Sequence, residues 1–291
     1  MIEKVIKSYK AFDKNMRCRD FQYEVGKEYE MDGEIKCRER GFHACKSPME
    51  VWDHYDMLSS RFAEVEQSGK IEEEGNSTKV CSSHIKIKAE LKLADIIKIG
   101  VEWLKDITSP TKVKTDIAKN DNGGYSAQIG SSGDYAKIGS SGNSAQIGSS
   151  GYSAQIGSSG DYAKIGSSGD SAQIGSSGYY AKIGSSGDYA KIGSSGDSAK
   201  IGSSGDSAQI GSSGNYAKIN STGEDSVIMC AGNNSRAKAK VGSWITLTEW
   251  EWNDEKNRYV PVCVKTEYVD GENIKADTWY RLQKGEFVEV I

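Results

Sequence analysis

The sequence predicts a mainly β protein. A parallel β-solenoid of nine-residue repeats, with two repeats per coil favoured over three, is flanked by an N-terminal α+β domain and a C-terminal β cap. Three observations predict this. From Tyr125 to Gly223 an Ala recurs at every ninth position, Ala127 to Ala217, with an Ile two residues after each. Gly-Ser-Ser-Gly follows in ten of the eleven units, so most of the 33 glycines sit in register. Outside that stretch the register stops, and ordinary strand and helix patterns take over.

Residues 1–114 read as the α+β domain. Ser47-Pro48-Met49-Glu50 has the pattern of a helix start: Ser as N-cap, Pro at the first helical position and Glu at the third. That helix is expected to run through Val51, Trp52 and Tyr55. Arg61–Glu66 alternates like a strand, and Ile85–Leu91 places Ile85, Ile87, Ala89 and Leu91 on one face. Leu93–Ile107 has helical spacing, with Ser109-Pro110 as its stop.

Residues 115–235 hold the repeats. Ala-x-Ile puts two apolar side chains on one face of a short strand, and the residues between and before them point outward. The Gly-rich segment supplies corners, on the expectation that its glycines take positive φ. Helix is disfavoured, because two glycines per unit would each cost about 1 kcal/mol. Small Ala favours a flat coil of two facing sheets. Eleven units then make about five and a half coils, roughly 26 Å at the usual strand spacing. The register decays through Ala118 on one side and through Ser226 and Ile228 on the other.

Stacking turns each repeat position into a ladder. The outward ladder contains Lys137, Lys164, Lys182, Lys191, Lys200 and Lys218, with Gln in the other five units. Tyr135, Tyr162, Tyr180, Tyr189 and Tyr216 each stand two residues before one of these lysines. Corner Asp residues keep the repeat stretch near neutral. Residues 236–291 read as the β cap: Trp244–Trp252 alternates, Arg258–Val269 follows as a second strand, and Asp277 onward forms a hairpin. Trp244, Trp250, Trp252 and Trp279 are expected to close the apolar end of the solenoid.

Charge and composition exclude several classes. With 41 acidic and 37 basic side chains the net charge is −4, which argues against a nucleic-acid or anionic-membrane binder. No apolar run is long enough to span a bilayer. The start of the sequence lacks an apolar leader, so the expected location is the cytoplasm, with Cys18, Cys37, Cys45, Cys81, Cys230 and Cys263 as free thiols.

Several resemblances bear on the repeats. Calcium-binding nonapeptide rolls are similar in period, but Gly-Ser-Ser-Gly-Asp offers one carboxylate where their motif has more ligands. Ice-binding solenoids carry Thr ladders that are absent here. The units also resemble the head repeats of trimeric autotransporter adhesins, although no heptad stalk accompanies them. Four further motifs stand out: Cys18-Arg-Asp-Phe-Gln-Tyr-Glu-Val-Gly, Gly41-Phe-His-Ala-Cys45, Arg61-Phe-Ala-Glu-Val-Glu66 and Ile274-Lys-Ala-Asp-Thr-Trp-Tyr280. Through them the chain resembles, over most of its length, an uncharacterised domain family of gut Firmicutes and their phages. The resemblance implies a phage or prophage context and carries no activity.

Candidate chemistry is sparse. Cys18, Cys37, His43 and Cys45 could supply a zinc shell, though no Cys-x-x-Cys pair is present. Gly41-Phe-His-Ala followed by Tyr55 resembles, faintly, an ADP-ribosyltransferase-like nucleotide cleft. In such a cleft His43 would hold a ribose, Tyr55 would stack on nicotinamide, and Glu64 or Glu66 would serve catalysis. Serines copied eleven times are poor nucleophile candidates, and no phosphate loop occurs. The expectation is therefore a non-catalytic interaction protein without a cofactor. It would be made in a bacterial host cell and would bind and block a host protein, such as a defence protein. Its contacts would come from Tyr135, Lys137, Tyr162, Lys164, Tyr180, Lys182, Tyr189, Lys191, Trp250 and Trp252. The alternatives are the nucleotide-using enzyme and a virion tail or decoration protein. Exposed Tyr ladders would also favour homo-oligomers.

Overall fold

A computed structural model describes residues 4–74, 77–108 and 126–290. The chain divides into two compact units, Met1–Trp103 and Leu104–Ile291. The expected boundary after residue 114, the Ser109-Pro110 stop and Ala118 lie outside the described residues.

The first unit contains β1 (Ile6–Phe12), β2 (Arg17–Cys18), β3 (Phe21–Gln22), β4 (Glu28–Glu30), β5 (Phe42–Cys45), β6 (Arg61–Glu73), β7 (Lys79–Leu91) and most of α1 (Leu93–Ile107). Its sheet is ordered β4-β7-β5-β1-β6, and β6 also pairs with β7, which closes four strands into a ring. That closure needs strong bending. Two register shifts between β6 and β7 supply it, at Glu64/Val65 and at Ser68/Ile71, with Gly69 at φ +76° beside the second. Phe12, Phe42, Val65, Ile85 and Ile87 fill the interior. The alternation of Arg61–Glu66 and Ile85–Leu91 thus marks the two longest strands.

The helix expected from Ser47 is only a 3-10 turn, Pro48–Asp53. Ser47 gives no side-chain cap, and the Glu50 carboxylate accepts from the Thr78 amide (3.2 Å) and hydroxyl (2.7 Å) instead of folding back on the turn. Pro48 is nevertheless where the turn begins, and Met49, Val51 and Trp52 are buried. α1 matches its pattern, with Ile96, Ile97, Val101 and Leu104 fully buried.

The second unit is the solenoid. Twelve four-residue strands, from β8 (Gln128–Ser131) to β19 (Val227–Cys230), each begin one residue after the Ala position. Successive strands alternate between two parallel sheets, so each coil has 18 residues, as Gln155 beside Gln173 shows. β20 (Arg236–Lys238) and β21 (Trp244–Asn253) extend both sheets past the last regular repeat, giving about seven turns. β22 (Arg258–Tyr268) then pairs with β21, and β23 (Tyr280–Gln283) and β24 (Glu286–Glu289) pair beside β20.

Ala and Ile face inward in every regular coil; they are buried from Ala145 onward and half-buried in the first coil, at Ala127, Ile129, Ala136 and Ile138. A buried Ile contributes roughly 1.5–3 kcal/mol. At the C-terminal end the same cluster is closed by Val269, Ile274, Tyr280 and Leu282, with Phe287 against them. The tryptophans do not do this. Trp244 and Trp252 are exposed, Trp250 is half-buried and donates from Nε1 to the Ala231 carbonyl (2.9 Å), and Trp279 lies under Arg236 and Lys238. An indole is too broad for a core whose layers are Ala and Ile.

The corners also differ from expectation. Positive φ falls on the Tyr or Ser before each Ala, for example Tyr162 at +58° and Ser171 at +57°, and not on the glycines. The second Gly of each corner is needed for another reason. A Cβ on Gly178 would collide with the carbonyl of Gly160, one coil earlier, and Gly151, Gly160, Gly169, Gly187, Gly196, Gly205 and Gly214 repeat this approach. Corner Asp and Asn side chains bridge the same step. Asp170 Oδ1 accepts from Asp188 N (3.0 Å), Asp188 from Asp206 N (2.9 Å), and Asp206 from Glu224 N (2.8 Å). The opposite corner does the same with Asn143, Asp161, Asp197 and Asn215. These carboxylates act as backbone caps from coil to coil.

Two substitutions three residues apart therefore separate the roles of glycine. Gly178→Ala is expected to cost at least about 3 kcal/mol or prevent folding, because backbone must move. Gly175→Ala, where nothing lies within 4 Å of the added Cβ, is expected to be neutral or to stabilise by about 0.5–1 kcal/mol. Thermal melting of the two variants checks this.

Candidate functional site

The first unit has a cleft of about 610 Å³ between β1, the β2–β3 hairpin, β5 and the 3-10 turn. Its walls include Lys10, Cys18, Tyr23, His43, Tyr55 and Lys79. The hairpin is held by Asp13, whose Oδ1 accepts from the amides of Asn15 and Arg17 (2.8 Å each), with Met16 and Arg19 at positive φ. This presents Cys18 to the cleft.

Lys10 is 5% exposed although it carries an amine. Its Nζ donates to the His43 carbonyl (2.8 Å), lies 3.6 Å from Cys18 Sγ and stands over the Tyr23 ring (5.3 Å). Burial lowers its pKa, and the neighbouring thiols only partly offset this. Tyr55 donates to Cys18 Sγ at 2.9 Å, and burial pushes its phenol pKa up, which keeps the donor proton in place. His43 Nε2 accepts from the Arg38 amide (3.0 Å) and lies 3.5 Å from Cys81 Sγ. Burial, then Lys10 and Lys79, lower the imidazole pKa, in keeping with a neutral ring that accepts.

The sequence candidates separate in space. His43 and Tyr55 do line one cleft, as the nucleotide reading requires. Glu64 and Glu66 do not join them. They pair with Lys7 (2.8 Å) and Lys88 (3.0 Å) and are not among the cleft residues. The four zinc candidates are not gathered either. Cys18 contacts Lys10 and Tyr55, Cys37 bonds to the Glu72 carbonyl (3.5 Å), and Cys45 is buried. Among the described residues no cluster of three His, Cys, Asp or Glu side chains could hold a metal ion. Lys10 was missed by pattern reading, although a lysine inside Ser-Tyr-Lys-Ala-Phe, a strand without an acidic neighbour, is a usable signal.

On the solenoid, the Lys and Tyr ladder residues fall on different surfaces because two repeats make one coil. Lys137 and Lys191 lie on the sheet of β9, exposed, in a column with Gln155, Gln173 and Gln209. Lys164 and Lys182 lie on the other sheet, where Lys164 is buried, Lys182 is half-buried and both are engaged in contacts. Tyr162 and Tyr180 stack on one corner with ring centroids 5.2 Å apart, while Tyr135 and Tyr189 occupy the opposite one. Trp250 and Trp252 lie apart from both, on β21.

The exposed sheet has a bare column. Gly139, Gly157, Gly175, Gly193 and Gly211 line an open groove beside the Lys/Gln column, and an added Cβ at any of them would meet nothing within 4 Å. In the next coil Met229 fills the same position. The backbone thus does not require these glycines, each of which costs about 0.5–1 kcal/mol in a strand.

These features define a β-solenoid protein with an N-terminal closed-sheet domain. Residues 6–99, which form most of that domain, match the model of a family described as a domain of unknown function (DUF7666). No curated protein and no solved structure matches the chain.

The His43 environment gives a pH dependence. The folded ring has a lower pKa than the unfolded one, near 6.5, so below that value the unfolded chain binds more protons. Stability of the first unit is expected to fall between pH 7.5 and 5.5, by at most about 1.4 kcal/mol per pH unit. Thermal melts at the two pH values check this, and His43→Gln should flatten the difference.

Proposed function

We propose that this chain is a non-catalytic protein-binding protein whose open solenoid face holds an extended segment of a partner. The observation that carries this is the bare column Gly139–Gly211: five strand glycines that the fold does not need, beside a column carrying Lys137 and Lys191. A strand without side chains lets another backbone approach closely. With cations and no carboxylate in its columns, the face favours a segment bearing carboxylates. On the opposite sheet Gly148, Gly166, Gly184 and Gly202 are buried, and of the Lys/Gln column Gln146 and Lys164 are buried and Lys182, Lys200 and Lys218 half-buried, so this chemistry is compatible with being covered. The proposed setting is the cytoplasm of a bacterial host carrying a phage or prophage, with a host protein, such as a defence protein, as partner. The resemblance of the N-terminal motifs supports that setting.

A second reading, a nucleotide-using enzyme in the first unit, is favoured by His43 and Tyr55 sharing a cleft. It lacks a carboxylate at Glu64 or Glu66 facing that cleft.

Capture from host lysate with three baits tests the proposal: wild type, the triple variant Gly157→Val/Gly175→Val/Gly193→Val, and Lys137→Glu/Lys191→Glu. A protein held by wild type and lost by both variants, with their melting temperatures preserved, is the expected result. Equal capture by all three baits would overturn it.

A further inference from the structure

We propose that Cys18 and Lys10 form an oxidation-driven covalent link, a sulfenamide between Sγ and Nζ, which makes the cleft a modification site for peroxide. The two atoms lie 3.6 Å apart, on β2 and β1. Cys18 is half-buried and lines the cleft, so a small oxidant reaches it. Lys10 is held in place by the His43 carbonyl, and among the described residues it forms no ion pair with a carboxylate. Its burial shifts the amine toward the neutral form, the form that attacks sulfur.

The other cysteines are not equipped in this way. Burial pushes the Cys45, Cys81 and Cys230 thiols up to about 12, which suppresses the reactive thiolate. Cys37 is also raised, by burial and then by Glu72. Cys263 has no amine hydrogen-bonded to it among the described residues. Only Cys18 combines access, a hydroxyl donor in Tyr55 and an amine in van der Waals range.

The chemistry balances with one peroxide. Hydrogen peroxide oxidises the Cys18 thiol to a sulfenic acid and is itself reduced, releasing water. The Lys10 lone pair then attacks Sγ and the S–O bond breaks. The departing hydroxide takes the proton lost by nitrogen and leaves as a second water. The product has one S–N bond and two hydrogens fewer than the reduced protein, and a thiol reductant restores both side chains.

Peptide mass spectrometry of the intact chain after peroxide treatment tests this. The expected product joins Ser8–Lys14, uncut at Lys10, to Cys18–Arg19, with a loss of about 2 Da that dithiothreitol reverses. Lys10→Arg should abolish the link and let Cys18 proceed to sulfinic acid. If that variant does not fold, by circular dichroism, the wild-type product decides alone. Wild-type Cys18 ending as sulfinic or sulfonic acid, with trypsin still cutting after Lys10, would overturn the proposal.

Discussion

At the solenoid corners from Gly151 onward one backbone crosses another at a distance that no side chain allows. Gly178 over the Gly160 carbonyl is one instance, and the approach recurs along both edges of the coil. The rest of the second unit depends on it. The close crossing sets the 18-residue coil, which brings like residues into register and buries the Ala and Ile of one coil on those of the next. It also brings each corner Asp or Asn within reach of the amide one coil on, so a carboxylate that could suggest an ion site becomes a backbone cap. Asp is favoured there because a short acceptor reaches the neighbouring backbone without crossing the corner.

Two repeats per coil also divide the surface. A sequence in which every unit looks alike gives two chemically similar faces with different fates, one buried and one open. On the open face the glycines have no steric task, and Met229 shows that a long side chain fits the column. A fold selected for stability alone would gain from β-branched residues there. The bare column is thus unexplained by what lies beneath it, and the proposed bound segment would account for it.

Much of this was legible in the sequence, for physical reasons. A nine-residue register repeated eleven times leaves few alternatives to a solenoid, and α1 follows directly from the spacing of Ile96, Ile97, Val101 and Leu104. Three things were not legible. Positive φ at Tyr162 and its equivalents is set by the turn between coils, and neither Tyr nor Ser advertises it. The extension to β21 was hidden because Arg236–Lys238 and Trp244–Leu247 keep the ladder while losing the Gly-Ser-Ser-Gly motif. Closure of the first unit's sheet depends on bulges in β6 and β7, which leave no clear pattern. The candidate site was half legible: His43 and Tyr55 do meet in a cleft, whereas Lys10, which organises it, carries no motif that singles it out.

The central claim is that the coil contains two repeats and 18 residues. Disulfide trapping on the open face tests it directly. Gln155→Cys/Gln173→Cys places two thiols on adjacent strands, at about 4.8 Å between backbones, within the range for a disulfide. Gln155→Cys/Lys182→Cys places them 27 residues apart, adjacent only if three repeats make a coil. Peptide mapping should find the 155–173 link and no 155–182 link. The reverse pattern would contradict the fold on which the rest depends.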